Sequence, residues 1–225
     1  MNPRSAVSVL NDFLYRTYGE ELFAHVNTHV VRDVGPEKAV IQPDTNIGII
    51  ASDGITLKEY LSLIDSGRYS AIFYDYSLVI LECTFLKGEI SRHRYFYIPC
   101  PLKDSLTRGR PPELAIGDYF EQLDANEVMD GIVSQGFIRF DYTTDPAPSE
   151  MHHPLSHVTL ASPECRIALR APISIAEFLT FVFDNFYPDR AKTWLEFQPF
   201  LACPSEDTIR VDETIRMHMY WADPV

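Results

Sequence analysis

Three histidines lie within six positions of the sequence, in the segment EMHHPLSHVTL. His152 and His153 precede a proline, and His157 follows it at the start of a β-branched run. Histidine can give or take a proton near neutral pH because its ordinary pKa is about 6.5. The cluster is therefore a candidate for acid-base chemistry or for metal binding, and the plain alternative is that the rings only mark the beginning of a strand.

Phosphodiester cleavage is the acid-base reaction that the other polar residues fit. It needs a base for the attacking hydroxyl, an acid for the leaving oxygen and a cation for the charge on phosphate. The candidate bases are Glu82 and His93. The candidate acids are His153 and His157, and Arg139 is the candidate cation. Attack by the 2′-hydroxyl of RNA requires no metal ion, so this set predicts a ribonuclease without a cofactor.

Glu82 and His93 can meet only if they lie on the same face of a hairpin. Lys87 and Gly88 predict a two-residue turn between the strands SLVILECTF and EISRHRYFYIP. A regular ladder from that turn puts Glu82 opposite His93, on the more polar face. The same two residues are also consistent with an ordinary cross-strand pair that has no catalytic role.

Two further strands add polar side chains by the same alternation. Arg139 and Asp141 share a face in FIRFDY, and His157 lies on the polar side of HVTLA. Pro154 excludes a helix at His153, which we expect in a loop over the edge of the sheet. The predicted polar pocket comprises Glu82, His93, Arg139, Asp141, His153 and His157. Without chemistry, Arg139 and Asp141 would form a surface ion pair contributing about 0 to 1 kcal/mol.

The elements that must position these residues indicate an α+β fold in a single domain, residues 1–225. YSAIFYDY, SLVILECTF and EISRHRYFYIP predict an antiparallel meander, and FIRFDY, HVTLA and IRMHMYW are further strands. The predicted helices are SAVSVLNDFLYRTYGEELF, ITLKEYLSLI, PPELAIGDYFEQLD and ISIAEFLTFVFDNFYP. Capping boxes at Thr56–Glu59 and Ser174–Glu177 mark the starts of the second and last of these helices. We expect amphipathic helices on one face of the sheet and the polar pocket on the other.

Composition narrows the classes of function. The chain has 225 residues, 46% of them hydrophobic, and a formal net charge of −13. This charge disfavours a broad nucleic-acid-coating surface, although it is compatible with a small basic pocket. No apolar run is long enough for a membrane span, and the N-terminus has no signal-peptide pattern, so we expect a cytoplasmic protein. The four cysteines form no CxxC pair, which argues against a zinc ribbon.

The run HHPLSHVTLASPECRIALRAPISIAEFLTFVFDNFY resembles the hallmark region of a bacterial family of unknown function. That region combines His-Pro-x-x-His, Cys-Arg-Ile and Asn-Phe-Tyr segments, and the resemblance extends over about residues 70–190. More distantly, YDYS, HRYFY, RFDY and the paired histidines are similar to small toxins of the TumE type. Tyr142 departs from that second pattern, which tends to have Asn there. The resemblances imply a bacterial toxin or phage-defence setting.

Two other functions remain open from the sequence. His153 and His157, with Asp141 or Glu82, could supply ligands for a divalent ion, although HHPLSH matches no established metal spacing and HExxH is absent. The second is a non-catalytic protein-binding subunit, an adaptor or antitoxin-like component of a defence complex. Its partner would be a protein rather than RNA, and the aromatic segments TWLEFQPFLACP and MHMYWADPV are the candidate contacts.

Overall fold

The computed structural model describes residues 2–44, 55–103, 106, 116–124, 131–133, 136–145, 153–162, 164–195 and 206–220. Within them the helices are α1 Pro3–Gly19, α2 Leu57–Asp65, α3 Ile116–Gln122, α4 Ile175–Phe186, α5 Ala191–Leu195 and α6 Val211–Thr214. The strands are β1 His25–Val26, β2 His29–Gly35, β3 Lys38–Pro43, β4 Ala71–Ile72, β5 Leu78–Leu86, β6 Glu89–Ile98, β7 Ile138–Thr143, β8 Ser156–Leu160, β9 Arg166–Leu169 and β10 His218–Met219.

The strands of the described residues form one sheet, in the order β1-β4-β5-β6-β7-β8-β9-β10. Strand β3 pairs with the far end of β5, and β2 pairs with β3. All of these pairs are antiparallel except β9 with β10, which is parallel. The predicted α+β class and the meander β4-β5-β6 are confirmed.

The helix starts follow the predicted capping chemistry. Thr56 and Glu59 form a complete capping box at α2, and Ser174 and Glu177 form another at α4. In each, the hydroxyl accepts a backbone N–H while the glutamate accepts the N–H of the cap residue, so two unpaired donors of the first turn are satisfied. Among the described helices, none combines the length and the apolar character that a membrane crossing would require.

Helices α1 and α4 cover the first face of the sheet. Their buried side chains belong to one hydrophobic cluster with the inward residues of β5, β6, β7 and β8. Phe13 of α1 packs edge-on against Trp194, which stacks on Phe183 of α4 at 5.0 Å. This apolar layer is the larger core of the molecule and matches the predicted helical face.

The second face is only partly polar, which differs from the predicted arrangement. Tyr60 and Leu63 of α2 are buried there against Ile80 and Phe96, in a second hydrophobic cluster. The amphipathic α2 can bury its apolar side only against the apolar ends of β5 and β6. The polar residues are therefore confined to the remaining half of this face, toward β7, β8 and β9.

The C-terminal strand is shorter than predicted. Only His218 and Met219 of the segment IRMHMYW are in a strand, while Ile215 follows α6 in a turn and Met217 is 80% exposed. Trp221 lies outside the described residues. Of the alternating apolar residues here, Met219 is half-buried and packs against the larger core, whereas Ile215 and Met217 are 85% and 80% exposed. Strands β1, β2, β3 and β9 were not predicted.

The Asn-Phe-Tyr end of α4 is tied to the turn before β5. The Tyr187 hydroxyl lies 3.0 Å from both carboxylate oxygens of Asp75 and donates to that group, and its ring stacks on Phe73 at 4.1 Å. Burial and the charge of Asp75 hold the pKa of Tyr187 far above its ordinary value, with Tyr97 contributing. The YDYS and NFY segments therefore have a structural role in this fold, since they anchor α4 on the sheet.

We expect Ser174→Ala to lower the free energy of unfolding by about 1 kcal/mol, because the cap of α4 is lost. Chemical denaturation at pH 7 measures this change. Ser8→Ala, at an exposed position inside α1, is the matched control and should be neutral or slightly stabilising. Equal effects of the two substitutions would contradict the assigned capping role.

Candidate functional site

The β5–β6 hairpin has the predicted turn but not the predicted ladder. Lys87 and Gly88 have φ values of +52° and +85°, as a tight two-residue turn requires. The first two pairs after the turn are regular, and the register then shifts by one residue, so that Thr84 pairs with Arg92. Ser91 is the extra residue of a β-bulge, and its carbonyl accepts the backbone N–H of Thr144 instead.

The bulge changes which residues face each other. Glu82 lies opposite Arg94, and His93 lies opposite Cys83. The predicted pairing of Glu82 with His93 is wrong, because side chains beyond the bulge alternate in the opposite sense. Glu82 is on the second face, and His93 points into the core beneath α1 and α4.

His93 is a core histidine. It is 1% exposed and stacks on the Tyr95 ring with centroids 4.3 Å apart and planes nearly parallel. Among the described residues, neither ring nitrogen has a hydrogen-bond partner of good geometry. Burial therefore lowers the pKa of His93 to about 3, against the weaker opposing charge of Asp141. The ring is neutral at physiological pH and lies on the opposite side of the sheet from His157.

The sequence contains a signal for the bulge, which the assumption of a regular ladder misses. Without an extra residue, Arg92 and Arg94 would share the core face with Ile90, beneath the helices. The bulge keeps Ile90 on that face and moves Tyr95 onto it, while both arginines go to the second face. Buried unpaired guanidinium groups cost far more than one irregular pair in a sheet, so the bulge is the favoured solution.

A row of polar residues crosses the strands on the second face. Arg94 pairs with Asp141, Asp141 with His157, and His157 with Ala168 of β9. Glu82 extends the row onto β5. The predicted alternation in β7 and β8 is confirmed, since Asp141 and His157 lie on this face.

Asp141 is the negative centre of this row and is 8% exposed. Its carboxylate contacts the Arg139 guanidinium directly and lies 3.4 Å from Nε of Arg94. Nε2 of His157 is 3.3 Å away, at an ion-pair distance without a well-aligned hydrogen bond. Burial alone would raise the pKa of Asp141, but the contact with His157 and the charges of Arg139 and Arg94 hold it well below its usual range. We call Arg94, Arg139, Asp141 and His157 the Asp141 cluster.

Aromatic rings fix Arg139 within the Asp141 cluster. Its guanidinium carbon lies 5.6 Å from the centroid of the Phe96 ring and 5.9 Å from that of Phe137. These cation–π distances and the carboxylate of Asp141 leave the group 8% exposed. Arg139 therefore neutralises and orients Asp141 rather than reaching a ligand.

His157 has a defined proton on one nitrogen. Nδ1 is 3.1 Å from the Pro154 carbonyl oxygen, which only accepts, so Nδ1 must donate. Nε2 then faces the carboxylate of Asp141. The side chain is 1% exposed. Both nitrogens face protein groups, so His157 acts on its neighbours and not on a ligand.

His153 is the more accessible ring of the pair. Its centroid is 4.6 Å from that of His157, edge to face, and the residue is half-buried. Arg210 holds its backbone carbonyl through a hydrogen bond. Burial and the charges of His157 and Arg166 lower the pKa of His153 to about 4, so the ring is neutral at pH 7. His152 lies outside the described residues.

The structure thus brings together five of the six predicted residues and separates His93 from them. Sequence reasoning missed Arg94 and Arg166, which become members of this face only through the bulge and through the unpredicted strand β9. The arginines on this half of the face outnumber its carboxylates, although the whole chain is acidic. The arginines are Arg92, Arg94, Arg139 and Arg166, and the carboxylates are Glu82 and Asp141.

The predicted divalent-ion site requires several ligand side chains in one place. The described part of the chain contains no group of three or more His, Cys, Asp or Glu side chains placed to hold one ion. Cys83 and Cys100 are buried thiols, and Cys165 is an exposed thiol.

Comparison with known proteins assigns the family. The model of a family described as an uncharacterized conserved protein, DUF2290, matches residues 22–221. The chain belongs to this family. Membership confirms the resemblance to a family of unknown function that the HHPLSH, CRI and NFY segments indicate, whereas the resemblance to TumE-type toxins stays a prediction. No curated protein and no solved structure matches the chain.

The buried histidines predict acid lability. The pKa values of His29 and His93 are lowered by burial to about 4 and about 3, from 6.5 in the unfolded chain. The unfolded state therefore binds protons at these two histidines under conditions in which the folded state does not. The free energy of unfolding should have its full value above pH 6.5. At lower pH it should decrease by roughly 1.4 kcal/mol per pH unit for each histidine.

Denaturant titrations between pH 7 and pH 4.5 measure this loss. We expect a shallower slope in His93→Phe, which keeps a stacked ring but cannot be protonated. His218→Gln, at an exposed position, should leave the slope unchanged. An identical slope in His93→Phe and the wild type would contradict the burial of a neutral His93.

Asp141→Asn should destabilise the fold by roughly 3–5 kcal/mol, because it leaves the buried Arg139 without its counter-charge. The measurement is equilibrium unfolding at pH 7. Asp145→Asn, just beyond β7 and exposed, is the control and should change stability by no more than about 0.5 kcal/mol. A loss below about 1 kcal/mol in Asp141→Asn would show that the cluster does not depend on this carboxylate.

Proposed function

We propose that the protein is a metal-independent ribonuclease whose general base is His153. The observation that carries the proposal is a neutral, half-exposed imidazole packed against His157 and bordered by Arg166. A neutral ring can take a proton from a hydroxyl, and neighbouring guanidinium groups can bind the phosphate on which charge develops. RNA supplies both the hydroxyl and the phosphate.

The reaction requires one displacement at phosphorus. The ribose 2′-hydroxyl attacks, its proton passes to His153, and the new P–O2′ bond forms as the P–O5′ bond breaks. The leaving 5′-oxygen takes a proton from water. The products are a 2′,3′-cyclic phosphate and a 5′-hydroxyl end, and the imidazolium returns its proton to solvent.

Arg94 and Arg166 are the phosphate-binding groups in this proposal. Both are half-buried on the second face, and the side chain of Arg94 is 28% exposed beside Asp141. A partly desolvated guanidinium binds phosphate more strongly than one in bulk water, since the local dielectric constant is lower. Arg139, Asp141 and His157 are positioning residues, because their polar groups are directed at one another.

The base assignment follows from the geometry of the other candidates. Glu82 is the cross-strand neighbour of Arg94 and interacts electrostatically with it, so its carboxylate has a protein cation as its partner. His93 faces the helices. Of the candidate bases and acids, His153 alone combines an exposed edge, a neutral ring and nearby cations.

The biological setting is part of the same proposal. A ribonuclease without a cofactor, acting in the bacterial cytoplasm, would arrest growth unless it were restrained, as expected of a toxin or a phage-defence effector. The similarity of YDYS, HRYFY and RFDY to TumE-type toxins supports this setting. A cognate inhibitor protein would then be the natural partner.

A non-catalytic protein-binding subunit is the second candidate. One observation favours it: Val211, Ile215 and Met217 are 80% to 87% exposed near the end of the described chain. Exposed apolar side chains that lie close together are more typical of contact surfaces than of free ones. In this case the partner is another protein of a defence complex, and the second face has no catalytic role.

His153→Gln should lower the rate of RNA cleavage by roughly 10²–10⁴, because the base is removed while the size of the side chain is retained. Activity of the wild type should fall only as the pH drops through about 4, where His153 becomes protonated. The assay follows a fluorescent single-stranded RNA and identifies the 2′,3′-cyclic phosphate by mass spectrometry. A chelator should leave the rate unchanged.

His25→Gln is the matched control, since His25 is exposed and lies in β1 at the other end of the sheet. It should cleave at the wild-type rate. Growth arrest on expression should be present for the wild type and His25→Gln and absent for His153→Gln. Absence of RNA cleavage by the wild type, or unchanged cleavage by His153→Gln, would reject the ribonuclease and favour the protein-binding subunit.

A further inference from the structure

A pocket of about 260 Å³ adjoins the second face, between β9 and the segment that contains α6. Its lining includes Pro154, Arg166, Ala168, Asp212, Arg216 and Met217. The volume is just below the range of about 300–1,000 Å³ that is typical of pockets for drug-sized ligands. It suits one nucleotide of a chain and little more.

The pocket is continuous with the proposed catalytic residues. Pro154 forms part of its wall and also accepts the hydrogen bond from His157. Ala168, on the same wall, is the cross-strand partner of His157. Arg210 lines the pocket and donates to the His153 carbonyl. A ligand in the pocket would therefore lie next to His153.

The charges of the lining fit a nucleotide. Arg210 is already paired with Glu213, 3.1 Å away. Arg166 and Arg216 add positive charge, and Arg216 forms no ion pair with any described residue. Asp212 is an exposed carboxylate on the same wall, and Met217 offers an apolar surface. Arginine side chains can bind the phosphate, and a carboxylate can accept a hydrogen bond from the exocyclic amino group of a base. A methionine thioether can pack against the flat ring of the base.

We infer that this pocket binds the nucleotide adjacent to the scissile phosphate, with Arg166 and Arg216 on its phosphate and Asp212 on the amino group of its base. The inference rests on the proposed ribonuclease function and specifies its substrate. The substrate is single-stranded RNA of at least two nucleotides. A base with an exocyclic amino group, such as cytosine, is preferred over uracil at this position.

Cytidine and uridine are the sharpest pair of probes, because they differ in the amino group that Asp212 would accept from. The probes are fluorescent four-nucleotide chains of 2′-O-methyl cytidine or 2′-O-methyl uridine, which cannot be cleaved by 2′-hydroxyl attack. Fluorescence anisotropy at several salt concentrations measures their binding to the full chain. We expect the wild type to bind the cytidine probe roughly tenfold more tightly than the uridine probe.

Substitutions at two exposed residues test the phosphate contact and the base contact of the pocket separately. Arg216→Ala should weaken both probes roughly tenfold and lower the slope of log K against log salt by about 0.7, which corresponds to one phosphate contact on a single strand. Asp212→Asn should remove the preference for cytidine. Arg190→Ala, which deletes an exposed arginine in the 3₁₀ helix after α4, is the control and should match the wild type.

Wild-type binding by both Arg216→Ala and Asp212→Asn would overturn the inference. Cleavage of unmodified RNA by the same variants separates it from the proposed function. If the wild type cleaves RNA and neither variant changes binding, the pocket assignment fails and the ribonuclease stands. If binding depends on Arg216 and Asp212 but no RNA is cleaved, the pocket stands as a nucleotide site and the ribonuclease fails.

Discussion

The extra residue at Ser91 decides which side chains meet on the polar half of the sheet. It allows β6 to present Tyr95 to the helices while Arg94 emerges on the other side, and it sends His93 into the core. A one-residue change of register exchanges the two faces of a strand. Without the bulge, two guanidinium groups would be buried beneath α4, and Asp141 would lose one of its two arginines.

On this half of the second face, the buried charges compensate one another, and the net charge toward the surface is positive. Asp141 is buried among groups that it neutralises, and its low pKa records how strongly those groups favour the carboxylate. Arg94, which lies 3.4 Å from the same carboxylate, and Arg166 of β9 are further cations on this half of the face. An acidic protein can therefore present a local anion site, because fields from distant carboxylates are screened over about 10 Å at 0.1 M ionic strength.

Local sequence patterns predicted the local structure well. The turn at Lys87–Gly88 and the cap at Ser174 depend on backbone chemistry within a few residues, and both are as expected. The alternation of Asp141 was also correct, since β7 is regular. The bulge at Ser91 was missed because its local free-energy cost is small. It is favoured by the burial of the side chains along the whole of β6, which local patterns do not describe. Glu82, Asp141 and His157 lie on one face of the sheet, as the alternation predicts, but His93 belongs to the core.

We propose that His153 and the arginines of the second face form one site for the phosphate of RNA. A crystal structure of the wild type with a 2′-O-methyl RNA tetranucleotide tests it most directly. We expect phosphate oxygens within about 3 Å of the Arg94 and Arg166 guanidinium groups, and the His153 ring directed at a ribose 2′-position. An oligonucleotide bound elsewhere, or a structure in which the His93 ring shares the face of His153, would contradict it.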